Sequence, residues 1–382
     1  VRRSAALALG EHDDYRYLEM KNDQEKLYHH RWGSNNSYAA EVGMEYGWHA
    51  NQTQENGEPG TIWLENARAY GRFKDPINYD DAEVVGFNPC VEQSLHNAEM
   101  CCLVETFPAK HDDYEDYLRT LKCAYLYGKT VTLVNTHWPE TNAKMLKNRR
   151  IGLSQSGIIQ AFKKHGRRNM LEWSDKAYSH VRKLDTEYSN WLCVPHSIKV
   201  TSIKPSGTVS LLNGSTPGIH FPEDEYYIRR IRFSKTSSML EDLKEAGYNI
   251  EDDAYSPNTS VVEFPVKEEH FTKGKKDVSM WEQLEIAAQY QHYWADNAVS
   301  VTITFNENEA NHIKSALEMY ETRLKAVSFL KLSENGYKQA PYEAITKEKY
   351  EEMSSKVTPI QRIETETAGT GTKYCDGDQC EI

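Results

Sequence analysis

Short β-branched and apolar runs alternate with amphipathic stretches of helical length along most of this chain. That alternation narrows the fold more than any other feature. Strand-like runs are expected at Ala82–Phe87, Leu103–Phe107, Thr130–Val134, Ile198–Ile203, Ser260–Phe264, Val299–Phe305 and Ala326–Leu330. Helical periodicity covers Asp13–His30, Asp113–Tyr127, Asn142–Arg149, Leu171–Glu187, Ser237–Gly247, Met280–Asp296 and Glu309–Thr322. Strands separated by helices call for an α/β architecture with parallel pairing. From Ser354 onward the apolar periodicity stops. Thr365–Lys373 reads TETAGTGTK, a polar and flexible linker, and leads to Cys375-Asp-Gly-Asp-Gln-Cys380.

Composition sets the class. Of 382 residues, 39% are hydrophobic, enough to bury a sizeable core in one large domain or two smaller ones. A net charge of −12 argues against a nucleic-acid polymer as partner, since phosphate chains need a basic face. A few backbone N–H groups and a local Arg are still enough for a small anion. The sequence has no apolar run of about 18 residues and no charged-then-apolar leader, so neither a membrane span nor secretion is expected. Seven cysteines, an odd number unevenly spread, fit a reducing cytoplasm better than a secreted disulfide framework. Position 1 is Val and the first Met is Met20, as in a fragment, a processed product or a non-ATG start.

Three segments carry chemistry. Asn88-Pro89-Cys90-Val91-Glu92 follows a strand and is turn-like, so that Asn88, Cys90 and Glu92 could share one cavity. A carboxylate two residues from a thiol raises the thiol pKa and suppresses the thiolate. The pairing suits a thiol that exchanges hydrogen atoms beside a carboxylate acting as general base; a buried Cys at a strand end is otherwise ordinary packing. Cys101-Cys102 opens the next apolar run, and adjacent residues of a strand face opposite sides, so one of the two thiols could return to the cavity. Lys204-Pro-Ser-Gly-Thr-Val-Ser210, followed by Thr216-Pro-Gly-Ile-His220, is a small-residue loop between a strand and a helix-compatible stretch. It reads equally as a phosphate cradle or as a plain Gly/Ser turn.

Taken in order with the terminal Cys375-x4-Cys380, these motifs resemble ribonucleotide reductases, and most closely the monomeric cobalamin-dependent ribonucleoside-triphosphate reductases. Val1-Arg-Arg-Ser-Ala5, His30-Arg-Trp-Gly-Ser-Asn-Asn-Ser37 and Asn148-Arg-Arg-Ile-Gly-Leu-Ser154 resemble the same family. The resemblance implies the C-terminal half of a ten-stranded α/β barrel over residues 1–353, with a redox tail over 354–382. It implies that Cys90 is the thiyl residue that takes the ribose 3′-hydrogen, Glu92 the base on the 3′-hydroxyl and Asn88 a hydrogen-bonding partner of the ribose. Cys101 is implied as one of two reducing thiols, with Cys102 where the family usually has no thiol. Pro205, Ser206, Gly207 and Thr208 would hold the substrate phosphates, and Arg2 and Arg3 would lie in the loop linking effector to substrate choice. Cys375 and Cys380 would re-reduce the active-site disulfide by thiol exchange with thioredoxin or a similar dithiol. Cys123 and Cys193 are read as structural.

The radical source follows by elimination within that resemblance. The late strand Val327-Ser328-Phe329-Leu330 has no Tyr pair to relay an electron from a radical subunit. Tyr226-Tyr227 comes too early and reads as packing, and Cys380-Glu-Ile382 is not a glycyl-radical end. Adenosylcobalamin remains, because it generates a radical without a relay. The partner thiol of Cys101 and the effector region would lie on an N-terminal half supplied by a second polypeptide. A non-catalytic regulatory partner with the same fold, or a dithiol carrier using only Cys375 and Cys380, are the competing readings.

Overall fold

The computed structural model describes residues 6–27, 33–254, 256–332 and 338–360. Its strands in chain order are β1 (Ala6–Glu11), β2 (Ser34–Ala39), β3 (Gly60–Ile62), β4 (Gly86–Phe87), β5 (Ser94–Leu95), β6 (Leu103–Thr106) and β7 (Gly152–Gln155). These are followed by β8 (Tyr226–Ser234), β9 (Asn249–Asp252), β10 (Thr259–Lys267), β11 (Thr302–Phe305), β12 (Ala326–Lys331) and β13 (Tyr342–Ala344). The chain divides into two compact units, one of Val1–Glu225 with Glu268–Glu334 and the other of Tyr226–Lys267 with Asn335–Ile382.

In the first unit, β1, β2 and β3 pair in parallel, β3 meets β12 antiparallel, and β12 pairs in parallel with β11. A second parallel pair, β6 with β7, is joined toward this sheet by two parallel bridges, Leu153 with Thr201 and Ile203 with Val299. The expected parallel α/β pairing is therefore present, with one antiparallel seam at β3–β12. All four residues of β7 are buried, as a strand covered on both faces requires. The expected strand at Ile198–Ile203 contributes only those bridges, and Ala82–Phe87 is strand only at its last two residues.

The helix Tyr114–Val131 forms where expected. The side chain of Asp113 accepts from the Asp116 amide, and Glu115 and Asp116 complement the helix dipole. Tyr117, Leu121, Tyr125 and Gly128 recur at helical spacing and are buried. The helix corrects one expectation: Thr130–Val134 is the end of this helix and the turn after it, not a strand. Thr130 Oγ1 donates to the Leu126 carbonyl one turn back, and Val131 and Val134 are exposed, with no strand paired to them among the described residues. The β preference of such residues reflects packing on a pleated surface, and here no such surface is offered. Arg167–Leu192 is a longer helix than the expected Leu171–Glu187. It is tied to Tyr114–Val131 by Asp185, which accepts from Tyr125 Oη at 3.1 Å and Lys129 Nζ at 3.0 Å. Over its described residues the expected helix Asp13–His30 is broken into short turns at Tyr15–Leu18, Met20–Asn22 and Gln24–Lys26, and residues 28–30 lie outside the described residues.

The second unit is an antiparallel sheet in the order β13-β8-β10-β9 with the helix Lys347–Lys356. Tyr226 packs on Tyr350 with ring centroids 5.2 Å apart and Tyr227 on Tyr342 at 5.7 Å, the packing role expected for that pair. No helix among the described residues is long and apolar enough to cross a membrane.

Candidate active site

β4 and β5 form a short antiparallel hairpin, and its turn carries Asn88, Cys90 and Glu92. The turn is closed from inside: the Asn88 amide donates to the Gln93 carbonyl at 3.1 Å, and Asn88 Oδ1 accepts from the Gln93 amide at 3.0 Å. Val91 sits at φ +67° to complete the reversal. It is also held from outside. Asn35 Nδ2 donates to the Pro89 carbonyl at 3.4 Å, the Ser300 hydroxyl donates to the Cys90 carbonyl, and the Ala298 amide donates to the Glu92 carbonyl at 3.1 Å. Asn88 thus spends its side-chain oxygen on the turn.

Glu92 is fully buried. Its Oε1 accepts from Lys204 Nζ at 2.9 Å, while Oε2 has no partner among the described residues. Burial pushes the half-buried Cys90 thiol up from its ordinary pKa. The Glu92 carboxylate adds to the rise, the Lys204 ammonium opposes it, and Cys101 contributes further. Cys101, exposed at the edge of the site, is pushed up by burial of its surroundings and by the same Glu92, again opposed by Lys204. Both thiols therefore sit in one electrostatic neighbourhood and stay protonated at neutral pH. Burial would lower Lys204, but the Glu92 carboxylate more than offsets it and holds the ammonium charged.

The two adjacent cysteines do face opposite ways. Cys102 is buried, its amide donates to Gln93 Oε1 at 3.0 Å and its Sγ lies 3.5 Å from the Gly128 carbonyl on the helix behind; burial pushes its thiol up to about 11. Cys101, not Cys102, shares the surroundings of Cys90. Cys123 and Cys193 are both exposed and lie outside the buried core, and Cys193 caps the helix Arg167–Leu192 in a left-handed conformation.

Of the phosphate-loop residues, Pro205 lines the cleft in front of Cys90, together with Ser37, Thr61, Ser300 and Ser328. Ser206 is buried, and its Oγ accepts from the Ser210 amide at 3.1 Å, so this hydroxyl organises the loop itself. Gly207 faces open space and Thr208 is exposed. The helix that follows is a single turn, Val209–Leu212, shorter than the motif suggested. His220 is held neutral. Burial lowers it to about 4, Nδ1 donates to the Pro217 carbonyl and Nε2 accepts from the Thr302 amide at 3.0 Å. Arg2, Arg3, Cys375 and Cys380 lie outside the described residues.

Several residues of the site went unassigned from sequence. Lys204 stood in its motif without a role, and Glu105 counted only as part of an apolar run. Glu105 Oε1 accepts from the hydroxyls of Ser154 at 3.1 Å and Ser156 at 2.5 Å, and burial pushes its carboxyl up to about 7 against those two donors. Behind the hairpin lies a buried set of three acids and three bases: Asp81, Glu99 and Asp296 with Arg150, Lys199 and Lys325. Arg150 reaches Asp81 at 2.7 Å and Glu99 at 3.0 Å, and Lys199 reaches Asp81 at 2.7 Å. Burial alone would raise Asp81, but Lys199 and Arg150 hold it far below the ordinary carboxylate range. His96 and Glu99, in the segment between Glu92 and Cys101, belong to this set through Asp81 and Arg150. The signal in the sequence was Asn148-Arg149-Arg150, quoted for its resemblance and not for its partners.

No protein-family model matches the chain. Named relatives do. The adenosylcobalamin-dependent ribonucleoside-triphosphate reductase of Euglena gracilis is 46% identical over 391 residues, covering 100% of this chain and 54% of the relative. A probable enzyme of the same name from Dictyostelium discoideum is 44% identical, covering 100% and 52%. A solved B-12 dependent (class II) ribonucleotide reductase superposes with a TM-score of 0.85 at 38% identity, covering 92% of this chain and 54% of that one. The class Id α subunit from Actinobacillus ureae, at TM-score 0.53 and 16% identity, shares the fold alone. The chain thus spans about half the length of the relatives it matches. In sequence and in fold, the chain is similar to the C-terminal part of adenosylcobalamin-dependent ribonucleoside-triphosphate reductases.

Proposed function

We propose that this chain carries the radical and base half of a ribonucleotide reductase that acts on ribonucleoside triphosphates. The observation that supports this best is Glu92: a buried carboxylate with one oxygen on Lys204 and the other without a partner among the described residues, beside a thiol kept protonated. An unpartnered buried oxygen is costly unless a ligand donates to it. A ribose 3′-hydroxyl placed over Cys90 is such a donor.

In this reading the Cys90 thiyl takes the 3′-hydrogen while Glu92 accepts the 3′-hydroxyl proton. The 2′-hydroxyl then leaves as water. Cys101 and a second thiol supply two electrons and two protons and close into a disulfide, and Cys90 returns its hydrogen to C3′. Lys204 holds one oxygen of Glu92 in place. Adenosylcobalamin, when bound, supplies the radical that Cys90 carries. Ser37, Thr61, Ser300 and Ser328 line the cleft in front of Cys90. The second thiol and the effector region belong to the part of the relatives that this chain does not span, and Cys375 with Cys380 passes electrons from thioredoxin in the cytoplasm.

The test is deoxynucleotide formation by the chain produced with its N-terminal counterpart, given adenosylcobalamin, a ribonucleoside triphosphate and a dithiol. Glu92→Gln keeps the shape and removes the base, so the rate is expected to fall roughly 10²- to 10⁴-fold. An undiminished rate in that variant refutes the assignment.

A further inference from the structure

The segment between Lys204 and Gly218 leaves and re-enters the fold at almost the same point. Gly218 has φ +52°, and a Cβ on it would lie 2.4 Å from the Lys204 carbonyl oxygen. Each end is then fastened to β7 or the residue after it by the same device. The Lys204 amide donates to Ser154 Oγ at 2.8 Å, and the Gly218 amide donates to Ser156 Oγ at 2.8 Å. Both serines are fully buried. A hydroxyl whose oxygen is taken by a backbone N–H has one proton left to give. Both protons go to a single atom, Glu105 Oε1 on β6. Further along, the Gly157 amide donates to the Thr216 carbonyl and Gln160 Nε2 donates to the Gly214 carbonyl. Those bonds hold the late part of the loop but not its first residue. At that first residue the Lys204 side chain runs to Glu92.

We propose that Glu105, acting through the hydroxyls of Ser154 and Ser156, is the positioning residue that fastens both ends of the 204–218 loop and thereby sets Lys204 against Glu92. The meaning of the loop as a substrate loop rests on the reductase reading; the clamp itself rests on the hydrogen bonds. Glu105 takes no part in the bond changes. Its oxygen orients two hydroxyls, which orient two amides.

The clamp makes an asymmetric prediction that a general structural role does not. In Ser154→Ala, hydrogen exchange of the Lys204 amide should quicken by about tenfold while that of Gly218 keeps its wild-type rate. In Ser156→Ala the two ends should exchange places. Glu105→Ala should release both, and Glu105→Gln, whose amide oxygen still accepts hydroxyls, should restore most of the protection. A second readout follows Lys204 itself. Because Lys204 lowers the Cys90 pKa, the pH profile of Cys90 alkylation by iodoacetamide, followed by mass spectrometry, should move to higher pH in Ser154→Ala and Glu105→Ala but not in Ser156→Ala. If Glu105→Ala does not fold, the two serine variants carry the test alone. Equal effects of both serine variants at both ends, or no effect at either, overturn the proposal. Neither measurement needs turnover, so intact exchange and alkylation patterns in a protein that makes no deoxynucleotide would count against the reductase reading and leave the clamp standing.

Discussion

Gly218→Ala tests the closure of the 204–218 loop at its tightest point. Two costs add. The residue must hold φ +52°, a left-handed conformation that costs an L-residue about 1–2 kcal/mol. Its new methyl would also lie 2.4 Å from the Lys204 carbonyl oxygen and 3.2 Å from the carbonyl carbon, both backbone atoms that yield only if the loop entrance moves. Overpacking of that kind costs roughly 1–3 kcal/mol. The sum, about 2–5 kcal/mol, falls on the closed loop. If the loop opens while the rest of the unit holds, that energy appears as roughly 30- to 5,000-fold faster amide exchange confined to residues 204–218. If the loop stays shut, it appears as a lower urea midpoint for the whole unit. Gly207 is the internal control: nothing lies within 4 Å of a Cβ there, so Gly207→Ala should leave both measurements unchanged. Wild-type exchange and midpoint in Gly218→Ala would mean that the two ends do not touch.

Arg150→Met should destabilise the first unit by about 3–5 kcal/mol in urea, because it leaves Asp81 and Glu99 buried with one base fewer; a loss under about 1 kcal/mol would refute the balanced set of charges. Glu105 predicts a pH slope. Its folded pKa, about 7, lies above the ordinary 4.5, so between those values the folded state binds more protons and stability falls as pH rises. Glu105→Gln should remove that slope, and parallel stability curves for the two proteins would refute the shift. Replacing Cys375 and Cys380 together with Ser should leave the first turnover of pre-reduced enzyme intact in a rapid-quench assay and stop later turnovers driven by thioredoxin, with a small dithiol restoring part of the rate. Sustained turnover on thioredoxin alone would refute the relay.

What could be read from sequence was whatever is local. The helix at Tyr114–Val131 carries its cap at Asp113 and its apolar stripe within eighteen residues, so pattern alone finds it. The turn at Asn88–Glu92 and the split orientation of Cys101 and Cys102 follow equally from neighbours in the chain. Thr130–Val134 misled because propensity stood in for a sheet that was not there. The ion pairs of the site were invisible for a different reason: Lys204 and Glu92 are 112 residues apart, and Arg150 and Asp81 are 69 apart. Charge partners at such separations leave no period to detect. Asn88 shows a third limit. Its residue type suits a ligand, yet its side-chain oxygen is committed to the turn.

The antiparallel seam has a consequence for how the protein is made. β3 cannot complete its pairing until Ile62 meets Ala326. Closing a loop of that length costs about 5 kcal/mol of chain entropy before any contact rewards it. At a synthesis rate of 5–20 residues per second, the stretch up to Ile62 must also wait roughly 13–50 s for its neighbour to be translated. During that time Thr61 and Ile62, fully buried in the finished fold, present an open edge to whatever strand arrives first. The cleft wall that Thr61 and Ser328 share cannot exist before β3 and β12 meet.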